Sequence, residues 1–215
     1  MTIQEVNNIL FNMSYMEYAQ SLIEKYGSVP KDYFYTNKKG LLTKSYGITR
    51  GNEGLYIHHI FECYYIDLSN ARMVFLRSAC SDEDPRFAEA QKAENLCYCN
   101  LLEHLILHIK IALEYQRPQY EVGIRFITTD LNRLYDLGDQ HLIKQVYSAK
   151  NFLWKQAVYQ LIKDDYKTYV LLILICIKNL NMSAEQVCSA IDSNLEGYTY
   201  KKLYRDVRKA LRREQ

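Results

Sequence analysis

The sequence predicts a mainly α-helical protein with a small β element. Three observations lead there. Glycine (8) and proline (3) are scarce in 215 residues, too few for a turn-rich β-sandwich or a low-complexity linker. Apolar residues make up 48% and charged residues 24%, so the chain can bury a core and is not disordered by composition. Apolar positions also recur at steps of three and four along much of the chain. The length fits one domain or two small ones.

The elements follow in order. Ile3, Val6, Ile9, Leu10, Met13, Met16, Ala19, Leu22, Ile23 and Tyr26 mark one or two amphipathic helices, stopped by Gly27 with Pro30 shortly after. Residues 31–52 are polar, tyrosine-bearing and basic, and read as loop and short strand. Leu55–Leu68 is rich in aromatic and β-branched residues, with strand expected near its start. Ser78–Pro85 reads as a polar turn, Arg86–Glu94 as a short helix and Asn95–Asn100 as a turn or short strand. Leu101–Tyr115 is a strong helix that ends before Pro118. Tyr120–Leu137 is another, with Gly138 as its stop. His141–Leu180 reads as two helices broken near residues 163–167. Ser183 and Gln186 form a capping-box signature at the head of the next helix. Gly197 breaks it, and Thr199–Arg213 is a final basic helix.

The composition also bears on compartment. Residues 1–12 lack a basic segment followed by a long apolar run, so no secretory signal is expected. The most apolar stretch, Tyr169–Ile177, is nine residues long, and crossing a bilayer takes about 20. No membrane span is expected, and this stretch reads as the heart of a buried helix. The six cysteines include no CxxC pair, which argues against a zinc knuckle or a thioredoxin-type motif. Free thiols in a reducing cytoplasm are the expectation.

The histidines are more informative. Four of five lie between residues 58 and 108: His58, His59, His104 and His108. His104 and His108 are i,i+4 on a helix, so one face presents both and can grip one metal ion. His58 and His59 are adjacent on a strand and point to opposite sides. Asn95 begins the turn into the helix, where its side chain can bond backbone groups and hold a loop. Core packing is the alternative for His104 and His108. Glu62 is a candidate outer-sphere carboxylate. Glu103, beside His104, could orient a ligand but is expected to face water, and His141 to lie on a helix surface.

The pattern Ile57-His58-His59-Ile60, then Asn95-Leu96, then His104 and His108, resembles the HNH endonuclease family, whose motif sits in a ββα-metal finger. The segment GLYIHHI…ENLCYCNLLEHLILHIKI is similar to phage-type members. The likeness covers about residues 53–112. It implies an HNH-like finger embedded in a helical domain, with residues 1–52 as an N-terminal helical and basic loop region. Residues 53–118 would be the finger, and residues 119–215 a helical region with a basic terminal helix. It further implies that His58, His104 and His108 hold one divalent metal ion. His59 would be the general base that activates water, and Asn95 would orient it by constraining its loop. The implied activity is metal-dependent hydrolysis of phosphodiester bonds in nucleic acid. Imidazoles favour zinc, nickel or another transition metal, with manganese and magnesium also open. Thirty-five residues separate His59 from Asn95, longer than a compact finger needs, so an insertion such as Arg72–Glu94 must loop out or the second strand must lie elsewhere.

The net charge of +2 looks too neutral for a nucleic-acid partner, but it hides a split. Residues 201–215 hold seven Lys+Arg and two Asp+Glu, a net of +5, which leaves −3 for residues 1–200. Lys201, Lys202, Arg205, Arg208, Lys209 and Arg212, with Arg50, are the candidate nucleic-acid contacts. Leu203, Val207, Ala210 and Leu211 give the same helix an apolar stripe. DNA is the expected partner, with RNA open, and a second copy of the chain is a further candidate. Tyrosine, at 20 residues, suits half-buried faces, and a few rings could stack on bases. The competing class is a non-catalytic nucleic-acid-binding or interaction module that keeps the finger as scaffold. A metal-bound helical enzyme of another kind is the third, weakened by the lack of carboxylates at ligand spacing beside the histidines.

Overall fold

In the computed structural model, the described residues are 1–78, 84, 86–116, 119–137, 143–144, 147–189 and 200–213. The expected features at Gly138, His141 and Gly197, one of the six cysteines (Cys80) and most of the 78–85 turn lie outside them. Among the described residues the protein is mainly helical, with two antiparallel sheets of two strands each. The elements in chain order are α1 (Ile3–Asn12), α2 (Tyr15–Tyr26), β1 (Phe34–Thr36), β2 (Leu42–Lys44), β3 (Tyr56–His59), α3 (Ala71–Ser78), α4 (Arg86–Glu89) and β4 (Leu96–Cys99). There follow α5 (Leu101–Tyr115), α6 (Tyr120–Leu137), α7 (Ala149–Ile162), α8 (Tyr166–Asn179), α9 (Ala184–Cys188) and α10 (Lys201–Arg213). The chain divides into two compact units, one of residues 1–15, 51–54 and 100–215, the other of residues 16–50 and 55–99.

The first unit is helical. α5 packs on α6, α8 and α1, and α9 packs on α6, α8 and α10. The apolar run predicted to be a buried heart lies in α8, where Tyr169, Leu172, Ile173, Leu174, Ile175 and Cys176 are all buried. Ser183 caps α9 as its capping box predicted, with Gln186 completing it. The turn 51–54 packs on α7, and Gly54 is required there. Its φ is +73°, and a Cβ would sit 2.7 Å from the carbonyl oxygen of Ala157, a clash no ordinary residue escapes. Two buried polar side chains of this unit bond to each other and to the backbone. Asn132 Nδ2 donates to the Val187 carbonyl at 3.1 Å, and the Tyr169 hydroxyl donates to Asn132 Oδ1 at 2.5 Å.

The second unit carries both sheets. Its core gathers Val29, Tyr33, Ile48, Leu55, Leu96 and Tyr98, with a second cluster of Leu68, Val74, Phe87 and Ala90. Gly27 ends α2 as expected, with φ +82° and its N–H bonded to Ile23 O. β3 pairs with β4 in the register His58↔Cys97 and His59↔Leu96. The long connection between those strands carries α3 and α4. Residues 71–78 form α3 although their apolar periodicity is short and weak. Cys63, Cys97, Cys99, Cys176 and Cys188 are buried thiols rather than disulfides. No helix among the described residues is long and apolar enough to cross a membrane.

Candidate metal centre

β3 ends at His59, and the chain turns at once into a 3-10 turn, Ile60–Cys63. That turn matters. In a continued strand, position 62 would run on away from His58, whereas the turn curls Glu62 back. Glu62 Oε2 lies 3.6 Å from His58 Nδ1, and Oε1 lies 3.6 Å from His59 Nδ1. Both distances exceed a hydrogen bond, so the carboxylate acts as an electrostatic neighbour of two imidazoles.

The helix begins with equal definition. Asn100 caps α5, its side-chain oxygen accepting from the N–H groups of Leu102 and Glu103, both at 2.9 Å. Glu103 closes the box by accepting the Asn100 N–H at 2.8 Å. Glu103 is therefore buried against the start of the helix, correcting the expectation that it faces water. Fixing that start fixes the phase of α5, and with it the direction of His104 and His108. Their rings lie 4.9 Å apart, centroid to centroid. His108 also needs room on α6. A Cβ built on Gly123 would fall on His108 Nδ1 and lie 2.7 Å from Cε1. Only glycine lets the imidazole sit there.

Each unit thus supplies one pair of potential donors, His58 with Glu62 in the second and His104 with His108 in the first. His58 is fully buried, while Glu62 keeps 21% of its side-chain surface in water. Imidazole nitrogens and carboxylate oxygens of this kind are ligands that could hold a transition-metal cation.

His59 is not in that donor set. It is 1% exposed, its ring lies 4.4 Å from that of Tyr33, and neither ring nitrogen has a hydrogen-bond partner. Leaving a buried imidazole in that condition costs about 1–3 kcal/mol. Asn95 sits immediately before β4 and donates to the Glu89 carbonyl at 2.9 Å, bracing the chain as it enters the strand opposite His59.

The predicted nucleic-acid contacts separate. Arg50 is half-buried, donates to the Tyr26 carbonyl at 2.5 Å, and lies 5.0 Å from the Tyr98 ring centroid. It ties down the end of α2. Lys201, Lys202, Arg205, Arg208, Lys209 and Arg212 are all exposed on α10, while Leu203 and Val207 are buried. Glu62, expected as an outer-sphere carboxylate from its spacing to the histidine pair, lies beside both histidines. Gly123 and Tyr33 carry no signal in the sequence, because both act across tertiary contacts.

No protein-family model matches the chain, and neither does any curated protein or solved structure.

Proposed function

We propose that this chain is an HNH-like, divalent-cation-dependent phosphodiesterase acting on nucleic acid, with DNA as the first substrate to test. One observation carries the reading. His104 and His108 stand one turn apart on α5 with ring centroids 4.9 Å apart, and Glu62 lies 3.6 Å from both His58 and His59. The chain order also supports it. Two antiparallel strands (β3 and β4) lead directly into the histidine-bearing helix α5.

Each residue then has a part. His58, His104 and His108 hold the cation, with Glu62 beside them. A cation bound there supplies Lewis-acid stabilisation for charge on the phosphate and the leaving oxygen. His59 accepts a proton from the attacking water at a ring nitrogen, as an imidazole can at physiological pH. Glu62 Oε1 lies 3.6 Å from His59 Nδ1, on the side of that base. Asn95 holds the start of β4, opposite that base. Access to His59 requires the Tyr33 ring to move.

The burial of His59 favours a second reading. A base 1% exposed does not meet bulk water in this conformation, which suits a non-catalytic nucleic-acid-binding or interaction module that uses the cation as a brace. Plasmid nicking assays with Mg²⁺, Mn²⁺, Ni²⁺ and Zn²⁺ separate the two. The nuclease reading expects nicking with at least one cation. It also expects His59→Ala to abolish nicking while elemental analysis still finds the metal, and His104→Ala to lose both. Nicking unchanged in His59→Ala overturns the assigned base. Retarded DNA with no cleavage under any cation selects the second reading. Wild-type protein that retains no metal returns the histidines to core packing.

A further inference from the structure

The hairpin β1–β2 has an outward surface that the fold does not use. Residues 31–50 hold Lys31, Lys38, Lys39, Lys44 and Arg50 against a single acid, Asp32. That acid is engaged elsewhere, accepting the Ala93 N–H at 2.9 Å with Lys92 Nζ 3.6 Å away. Arg50 is turned inward, as described above. The four lysines are all exposed, with Lys31 Nζ donating to the Tyr46 carbonyl at 3.3 Å and Lys44 over the Tyr33 ring, so the hairpin presents a cluster of cations to solvent.

Aromatic side chains sit among them. Tyr46 is 89% exposed and Tyr35 48%. A tyrosine ring gains from burial, and a ring left almost wholly in water contributes nothing to the packing of its own fold. The hairpin is also held firmly. Asn37 Oδ1 accepts from the N–H groups of Lys39 and Leu41, and its Nδ2 donates to Thr43 Oγ1 at 3.0 Å. The tip lysines are therefore carried on an ordered turn. Tyr33, at the foot of β1, links the hairpin to the candidate base. Lys44 Nζ lies 4.5 Å from the Tyr33 ring centroid, and His59 packs on the same ring.

We propose that the β1–β2 hairpin is a binding surface for single-stranded nucleic acid, with Lys38, Lys39 and Lys44 on the phosphates and Tyr46 and Tyr35 stacked on unpaired bases. Interleaved cations and exposed rings are what an unpaired strand recruits, since every base has a face to stack and every nucleotide a charge. A duplex hides its base faces and would use the lysines alone. This inference rests on the nucleic-acid reading above and narrows its substrate to unpaired strands.

The test is fluorescence anisotropy with the full chain in EDTA, so that no cation and no cleavage enter. The probes are a labelled 20-mer of oligo-dT, a duplex of equal length, and anionic phosphatidylserine vesicles. Wild type is expected to bind the single strand more tightly than the duplex. Tyr46→Ala should weaken single-strand binding about 5- to 10-fold, within the worth of one stacked base, and leave duplex binding unchanged. Lys38→Gln with Lys39→Gln should weaken both and lower the single-strand salt slope by roughly 1.4, at about 0.7 per phosphate contact. Thermal melts of each variant should match wild type, because the altered side chains are exposed. Tyr46→Ala binding that matches wild type, or falls equally on single strand and duplex, overturns the hairpin assignment alone. Wild type that binds neither oligonucleotide, or only vesicles, overturns the nucleic-acid reading and the hairpin with it. Nicking that fails while hairpin-dependent binding persists sinks the catalytic reading and leaves the hairpin intact.

Discussion

Lys110 and His59 are both buried polar side chains, and their surroundings differ. Lys110 Nζ reaches the Ile9 carbonyl and Glu114 Oε1, both at 3.0 Å, and also the Met13 carbonyl. Three acceptors match its three donors. His59 is as deeply buried, yet neither of its nitrogens is bonded. Lys110 is part of what holds α1 to α5, so its desolvation is fully compensated. His59 carries an uncompensated cost, and that is the pattern expected where a side chain is kept for chemistry rather than for folding.

The comparison can be broken in several ways. Lys110→Met keeps the length of the side chain but leaves two carbonyls and a carboxylate without their donor. It should cost about 3 kcal/mol in urea denaturation, and a loss under about 1 kcal/mol would mean the network is incidental. Gly123→Ala removes no donor atom, but drives a methyl group into His108. Cation affinity by titration calorimetry should fall about 10- to 100-fold, the scale seen when the support of a ligating histidine is lost. An unaltered affinity would remove His108 from the donor set. His59→Phe should leave stability unchanged or raise it by up to about 1 kcal/mol, because an apolar ring has no unmet hydrogen bond. It should also abolish nicking. A large destabilisation there would place His59 with Lys110 as a structural group.

Two smaller effects sharpen the contrast. Burial pushes the Cys176 and Cys188 thiols up to about 12. They are expected to resist a disulfide reagent such as DTNB at pH 8 until the protein is unfolded. At the surface, the Tyr204 hydroxyl donates to Glu185 Oε1 at 2.7 Å and holds that carboxyl below its ordinary value. A depressed carboxyl contributes stability above its unfolded value, and that contribution fades as the pH falls through the folded one. Glu185→Gln should flatten the acid limb of the melting profile slightly, and an identical limb would show that the bond between α9 and α10 has no energetic weight.

Much of the helical architecture was legible in the sequence. The spacing of apolar residues marked α5 and α6 with the ends they have, and Ser183 with Gln186 marked the head of α9. These signals are local, each set within a turn or two of backbone. His104 and His108 were legible for the same reason, since i,i+4 on a helix is a local relation. The position of β4 was harder. Its four residues are all buried, so it lacks the alternation that marks a half-exposed strand. Its pairing with β3 spans residues 60–95, a distance no periodicity encodes. Glu62 was underread because its place depends on where β3 stops. Glu103 was read as solvated when it closes the Asn100 cap. Gly123 looks like an ordinary weak spot in a helix until the ring of His108 is set against it.

The junction between β4 and α5 has one more consequence, for how this gene can vary in length. Cys99 ends the strand, Asn100 caps, and the helix starts at Leu101. A helix turns about 100° per residue. One residue inserted at this junction would turn the face that carries His104 and His108 by that angle, while leaving both histidines in the sequence. Between β3 and β4, outside α3, α4 and the buried residues Leu68, Val74, Phe87 and Ala90, the same insertion only lengthens a connection, and doubling such a loop costs roughly 0.6 kcal/mol. Insertions and deletions should therefore be tolerated between the elements of that excursion, and excluded from the single peptide bond that joins β4 to its cap.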